Sequence, residues 1–331
     1  MRAHRLTTPA PVEGSPLRLE QLPVPQPGPG QLLLRVRTCG VCHTDLHLVE
    51  GDIRPPQLPR TPGHQVVAEV EALGPQVQDW AVGDRCGLAW LHCACGECPY
   101  CRRGQENLCQ QAAFTGFHVD GGFAEYVLAE AAYTLRLPPA IPDGEAAPLL
   151  CAGIIGYRSL RQADLSPGEK LGLVGFGASA HLALQVARHW GCDVIVFSRS
   201  EGHRRLAREL GAAWAGGVEQ PAPGMLDRAV IFAPAGPLVP AILEKLRPGG
   251  TLALNAIHMS PIPEMAYGLL YGERTLRSVA NATRRDGIEF LQLAGEIPVR
   301  VRVQEYPFEQ ANQALLDLKL SRIEGAGVLR L

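Results

Sequence analysis

Cys95, Cys98, Cys101 and Cys109 supply four thiols to one loop that is too short to fold on itself without help. Zinc held tetrahedrally by four thiolates is the ordinary solution to that problem, and a site closed in this way is structural. An iron–sulfur cluster is the alternative, because C-x-x-C-x-x-C runs also hold clusters. Against it, the short Cys-Pro step after the third cysteine is missing, and Cys109 is followed by Gln110. His92 and Cys93 lie beside the loop and read as bystanders.

A second dense stretch, Cys39 to His47, reads CGVCHTDLH. It brings together a thiol able to bind a metal (Cys42), a hydroxyl (Thr44), a carboxylate (Asp45) and two imidazoles (His43, His47). Taken alone, the C-x-x-C step suits a redox pair or half of a zinc ribbon as well as a catalytic site. Further along stand Gly63-His64, an isolated Cys151 and a glycine-rich turn at Gly175. Cys39, Cys86 and Cys192 read as small buried hydrophobes.

Length and charge narrow the classes. A chain of 331 residues with 46% apolar content suits two domains, each with its own core. The formal net charge of -2 gives no electrostatic case for nucleic acid or an anionic membrane as partner. The apolar runs are broken by glycine, histidine or charge well before membrane-spanning length, and the first residues lack the apolar core of a signal peptide. A soluble, cytoplasmic protein is expected. In that setting ten cysteines are metal ligands and buried thiols before they are a disulfide framework.

The first third is β and loop, with strand-like runs at 32–37 and 66–70 punctuated by proline and glycine. Texture changes near Pro142. From Lys170 the chain alternates: a strand at 171–174, a helix with Ala180, Leu182, Ala183, Val186, Ala187 and Trp190 on one face, and a strand at 194–197. A charged helix (202–210), a strand (229–232), a helix (238–246) ended by Pro248-Gly249-Gly250 and a strand (251–254) follow. This spacing predicts βαβ units around a parallel sheet, and the tail from Val299 reads as strand, helix and strand able to rejoin the first domain.

Gly175-Phe-Gly177-Ala178-Ser179-Ala180 follows a strand and opens a helix, the context that gives a G-x-G-x-x-[GA] match its meaning. Gly175 permits the turn, Gly177 admits a pyrophosphate close to the backbone, Ala180 allows tight helix–sheet packing, and the helix amides face the anion. At the end of the next strand, where an NAD site usually carries an acid, the chain has Ser198-Arg199-Ser200. A serine and an arginine suit a 2′-phosphate, so NADP(H) is expected in preference to NAD(H), with Arg204 or Arg205 as helpers. Glu201, close by in sequence, is the residue that argues for NAD(H).

CGVCHTDLH, PGH, CGECPYC with Cys109, LLCAG and GFGASA, in that order and over essentially the whole chain, resemble the zinc-dependent alcohol dehydrogenases of the medium-chain dehydrogenase/reductase superfamily. The resemblance implies an α/β protein with a β-rich part: a GroES-like catalytic domain from 1–152 and 283–331, and a Rossmann domain with a doubly wound parallel sheet at 153–282. It implies Cys42, His64 and Cys151 as catalytic zinc ligands with a fourth position open, and Cys95, Cys98, Cys101 and Cys109 as the structural zinc site, two ions per subunit. Thr44 is implied as the hydroxyl on the substrate oxygen, His47 as the outer end of a proton path by way of the cofactor ribose, and His43 as a contact of the pyrophosphate. Asp45 would orient His64, and Trp90 falls where the family places a substrate-pocket aromatic. Gln65 is a departure, since the family usually has Gly-His-Glu; a neutral amide offers no anionic oxygen to zinc, which puts ligand exchange and turnover in question and leaves metal binding untouched.

The reaction so implied is hydride exchange between an alcohol or aldehyde and a nicotinamide, in a homodimer or homotetramer. Two other readings compete: a zinc-free reductase of the quinone type, against which all three catalytic ligands stand, and a zinc-stabilised nucleotide-sensing module without activity, for which Thr44 and His47 would be coincidence. Asn255, His258, Asn281 and Arg284 are further candidates for contact with nicotinamide or substrate. Substrate size and branching are not readable from the sequence.

Overall fold

The computed structural model describes all residues from Met1 to Leu331. They form two compact units, Met1–Ile154 with Asn281–Leu331, and Ile155–Ala280.

The first unit is built on the long strand Gln31–Val41. Gln65–Leu73 pairs antiparallel along its length, from Leu32 opposite Leu73 to Gly40 opposite Gln65. Tyr126–Glu130 pairs with its first half, and the last strand of the chain, Ala326–Arg330, with its second half. Leu32, Leu34, Val36, Val66, Ala68, Val70 and Phe123 share one buried core, and each large side chain taken from water there stabilises by about 1.5–3 kcal/mol. The tail joins the same core. Val303–Pro307 runs parallel to Ala326–Arg330, and the helix between them, Ala311–Lys319, buries Ala311, Ala314 and Leu315 at the i, i+3, i+4 spacing of one helical face.

The second unit is a six-stranded sheet in which every neighbouring pair is parallel. Across the sheet the strands run Trp214–Gly216, Asp193–Phe197, Lys170–Val174, Leu226–Ile231, Leu246–Leu254 and Thr275–Ser278. In chain order that is third, second, first, fourth, fifth, sixth, the Rossmann arrangement, whose switch point lies beside the first strand. Ala180, Ala183, Leu184 and Ala187 of the helix Ala178–His189 are all buried.

One local expectation is corrected. The helix expected at 238–246 stops at Leu243, and the following strand starts at Leu246, ahead of Pro248-Gly249-Gly250. Leu226 pairs with Leu246 and Arg228 with Thr251, so the strand carries an irregularity that absorbs the proline and glycines. A bulge of this kind tolerates residues that would end a regular ladder.

The segment Leu149–Gly153, which contains Cys151, is a π-helical turn, and it is fixed from below by shape. A Cβ added to Gly153 would lie 2.3 Å from Cε1 of Phe290. Phe290 is fully buried on the helix Arg284–Glu296 from the C-terminal part of the chain. Gly153→Ala is therefore expected to destabilise the protein by about 2 kcal/mol through overpacking, read as a lower urea midpoint. An unchanged midpoint would show that Phe290 moves aside freely.

Candidate metal centre and active site

Strand pairing brings the first two candidate ligands together. Because Gly40 lies opposite Gln65 in an antiparallel pair, Cys42, just past the end of one strand, and His64, just before the start of the next, leave the sheet at the same edge. Cys151 arrives on the π-helical turn. One ligand atom from each of Cys42, His64 and Cys151 lies within 4.8 Å of the others.

Asp45 fixes this arrangement. Its carboxylate, only 2% exposed, accepts the backbone N–H of Cys42 (3.0 Å), the backbone N–H of Gly63 (3.0 Å) and the imidazole Nδ1–H of His64 (3.1 Å). A carboxylate ion only accepts, so Nδ1 of His64 keeps its proton, and Nε2 is the nitrogen that gives up a proton to become a ligand. Gly63 has φ +98°, and a Cβ there would fall 2.8 Å from the Phe123 nitrogen and 2.9 Å from the Cys39 sulfur, so only glycine brings its amide to Asp45 without strain.

The charges suit a cation. The Cys42 thiol is held well below its ordinary range by the hydrogen bond from Cys151, against the opposing effect of burial, with His64 helping. Cys151 is pushed up, keeping the proton that Cys42 gives away. Burial would lower His64, yet Asp45 and Cys42 outweigh it and raise it to about 10. A metal ion binds there only as Cys42, Cys151 and Nε2 of His64 give up their protons, so protons compete with it more strongly as pH falls. Three protein donors leave a tetrahedral ion one open position.

Around this cluster, Thr44 is buried with Oγ1 3.7 Å from the Cys42 sulfur. His43 is exposed at the start of the helix His43–Glu50, and His47, on its last turn, is half-buried. Gln65 is buried at the start of its strand, opposite Gly40. Trp90 meets the edge of His64 at 5.0 Å between ring centroids. The sequence reading did not include the rings behind it: Phe114 stacks on Trp90 at 5.2 Å, and Phe117 lies 6.0 Å from it. They are three residues apart in a segment with no motif of its own. Arg284, a candidate for nicotinamide or substrate contact, pairs with Glu106 (3.2 Å) and lies over the face of Tyr133 (5.1 Å).

The four-cysteine loop is a second, separate cluster. Sulfur separations are 3.5 Å for Cys98–Cys101, 3.6 Å for Cys95–Cys109 and 3.9 Å for Cys95–Cys101. Zinc–sulfur bonds of about 2.3 Å in a tetrahedron put sulfurs about 3.8 Å apart, whereas a cluster of several irons would spread them further. Backbone N–H groups of Glu97 and Cys98 hold Cys95 down at about 7. None of the ten cysteines is in a disulfide, and Cys39, Cys86 and Cys192 are buried.

In the second unit, Gly175 turns with φ +82°, where a Cβ would lie 2.9 Å from the Ala233 nitrogen. A Cβ on Gly177 would meet nothing within 4 Å, so space is open above the start of the helix Ala178–His189. The first intrahelical acceptor, the Gly177 carbonyl, is taken by His181, which leaves the amides of Ala178, Ser179 and Ala180 without a partner inside the helix. Beyond the strand Asp193–Phe197, Ser198 accepts the Ser200 N–H (3.3 Å), and Arg199 is exposed. Glu201 is engaged by Arg204 (2.9 Å) and Arg208 (3.4 Å).

Asp45→Ala removes the acceptor for all three groups at once. Metal affinity at the Cys42–His64–Cys151 cluster is expected to fall by at least about tenfold, while the four-cysteine loop keeps its ion. Metal content after dialysis against a weak chelator checks this; equal retention by variant and wild type would contradict the role given to Asp45.

Residues 28–139 match the family described as "Alcohol dehydrogenase GroES-like domain", and residues 180–296 that described as "Zinc-binding dehydrogenase". A Mycobacterium tuberculosis protein named "Probable alcohol dehydrogenase AdhA" is 46% identical over 335 aligned positions, covering 99% of this chain and 97% of the relative. The structure of a cinnamyl alcohol dehydrogenase from Sorghum bicolor superposes with a TM-score of 0.90 at 27% identity, over 99% of this chain and 97% of that one. An acetophenone reductase from Geotrichum candidum, solved in complex with NAD, gives 0.87 at 25% identity, over 100% and 97%. With its paired strands, its two ligand clusters and its Rossmann sheet, the chain belongs to the zinc-binding alcohol dehydrogenases of the medium-chain dehydrogenase/reductase superfamily.

Proposed function

We propose that this protein interconverts alcohols with aldehydes or ketones by a zinc-dependent hydride exchange, using NADP(H) in preference to NAD(H). The observation that carries the reading is the convergence of Cys42, His64 and Cys151 with Asp45 holding His64 so that Nε2 is the free donor. Two sulfurs and one imidazole with a fourth position left open are the donor set of a catalytic zinc, and the four sulfurs of Cys95, Cys98, Cys101 and Cys109 are that of a structural one.

Zinc bound at the first cluster supplies Lewis acidity to the substrate oxygen, and the dinucleotide takes or gives the hydride. The chain's own residues do the rest. Thr44, buried beside Cys42, hydrogen-bonds the substrate oxygen and passes its proton outward. His47, one helical turn on and half-buried, exchanges that proton with solvent. Trp90, backed by Phe114 and Phe117, forms the apolar wall against which the substrate carbon chain is held. Gly175, Gly177, Ala178 and Ser179, at the start of the helix Ala178–His189, receive the pyrophosphate.

The preference for NADP(H) rests on what stands free at the end of the second Rossmann strand. Ser198 offers a hydroxyl and Arg199 an exposed guanidinium, while Glu201, the acid that would suit a ribose hydroxyl, is occupied by Arg204 and Arg208. The NAD bound to the acetophenone reductase is the observation on the other side. Ten cysteines without a disulfide suit a reducing, cytoplasmic setting. The exposure of Tyr267 (74%) and Tyr271 (70%) on the second unit supports a homodimer or homotetramer.

A panel of primary and secondary alcohols and aldehydes, assayed with both dinucleotides on protein of known zinc content, tests the reading. Two zincs per chain and a KM for NADPH at least about tenfold below that for NADH are expected, and Arg199→Ala should narrow the gap by raising the NADPH value. A clear preference for NADH would refute the phosphate reading, and fully zinc-loaded protein without activity would refute the dehydrogenase reading. Gln65→Glu, which restores an anionic oxygen near the first cluster, is expected to raise kcat by up to about tenfold while zinc content stays constant. A changed zinc content with unchanged kcat would overturn that assignment.

A further inference from the structure

The helix His43–Glu50 ends in a turn that folds back on its own last residues. Gly51 takes a left-handed conformation (φ +88°), and the N–H groups of Gly51 (3.0 Å) and Ile53 (3.3 Å) both donate to the carbonyl of His47. This closure carries Asp52 back over the helix end, where its Oδ2 lies 2.8 Å from Nδ1 of His47. The helix end is itself tied down. Glu50 accepts the Val12 N–H (3.1 Å) and Lys319 Nζ (2.7 Å), and Lys319 also reaches Glu13 (2.8 Å).

We propose that Asp52 is a positioning residue for the proton path: it holds His47 as the Nδ1–H tautomer, so that Nε2 is the nitrogen that accepts and releases the proton. The inference rests on the dehydrogenase reading for its consequence, not for its geometry. A carboxylate ion can only accept, so the 2.8 Å contact requires the proton on Nδ1. Free histidine side chains favour the opposite tautomer, with the proton on Nε2, and without Asp52 His47 would spend much of its time with Nε2 blocked. The same helix and its cap thus use one device twice. Asp45 fixes Nδ1–H on His64 and frees Nε2 for a ligand role, and Asp52 does the same on His47 for proton transfer.

In alcohol oxidation the C–H bond breaks with its electron pair passing as hydride to the oxidised dinucleotide, and the O–H proton is released. The chain Thr44 to His47 carries that proton, His47 Nε2 takes it, and solvent removes it from the same nitrogen, so Asp52 is unchanged over the cycle. In the reverse direction His47 returns a proton to the oxygen.

The test has a readout that does not depend on turnover. In full-length zinc-loaded protein labelled with 15N at histidine, long-range 1H–15N spectra above neutral pH, assigned with His47→Gln, report which ring nitrogen carries the proton. The wild type is expected to show His47 with Nδ1 protonated and Nε2 bare, and Asp52→Ala to move the signal to the Nε2–H form. Asp52→Ala should also lower kcat by about threefold to tenfold, with KM for alcohol and dinucleotide within about twofold. Asp52→Glu should restore the tautomer and most of the rate, and added imidazole buffer should accelerate Asp52→Ala and leave wild type unchanged. A wild-type His47 protonated on Nε2, or an Asp52→Ala protein with unaltered tautomer and kcat, would overturn the proposal. An inactive wild type with the expected tautomer would instead count against the dehydrogenase reading alone.

Discussion

The carboxylate of Asp45 is the point on which the site depends. It is almost fully buried, and it spends its oxygens on the amide that starts the helix His43–Glu50, on the amide of Gly63 and on the ring of His64. A buried anion without partners would be costly, so its three contacts are held tightly. They join a helix start, a strand start and an imidazole that are distant along the chain. Cys42 and His64 are thereby set relative to each other before any ion arrives, and the ordering cost that a metal would otherwise have to overcome is reduced.

The fold delivers the remaining pieces to that point. Antiparallel pairing of Gln31–Val41 with Gln65–Leu73 ends both strands at one edge, and the final strand of the chain, with Gly327 opposite Val41, braces the residues that lead into Cys42. Cys151 depends on a different support, a π-helical turn seated on Phe290 through Gly153. Both supports come in part from the last fifty residues. That explains physically why the tail returns to the first unit: without it, the strand before Cys42 and the turn around Cys151 would each lose a packed face.

Much of this was legible in the sequence, for identifiable reasons. Cys95, Cys98, Cys101 and Cys109 gather in one short loop, and Gly175 to Ala180 sits between a strand and a helix, so local spacing was enough to show which residues come together. Asp45 was legible because it lies inside the same nine-residue stretch as Cys42. Asp52 was not, since its role depends on how a left-handed Gly51 turns the chain back toward His47, which a string of residues does not display. Phe114 and Phe117 were hidden for a similar reason: their stacking against Trp90 is a contact between separate segments. The bulge at Pro248-Gly249-Gly250 misled in the other direction, because proline and glycine read as a stop unless the partner strand is known to skip past them. The pairing of Arg284 with Glu106 and Tyr133 is likewise a contact between separate segments.

The central claim is that two sulfurs and the Nε2 nitrogen of one imidazole hold a zinc ion with one position left open. Crystallographic anomalous scattering measured on either side of the zinc absorption edge tests it most directly. The account predicts a peak about 2.3 Å from the sulfurs of Cys42 and Cys151 and about 2.0 Å from Nε2 of His64, in addition to one inside the four-cysteine loop. A zinc-replete crystal with no peak beside His64, or with the ion on Nδ1 and Asp45 turned away, would contradict it.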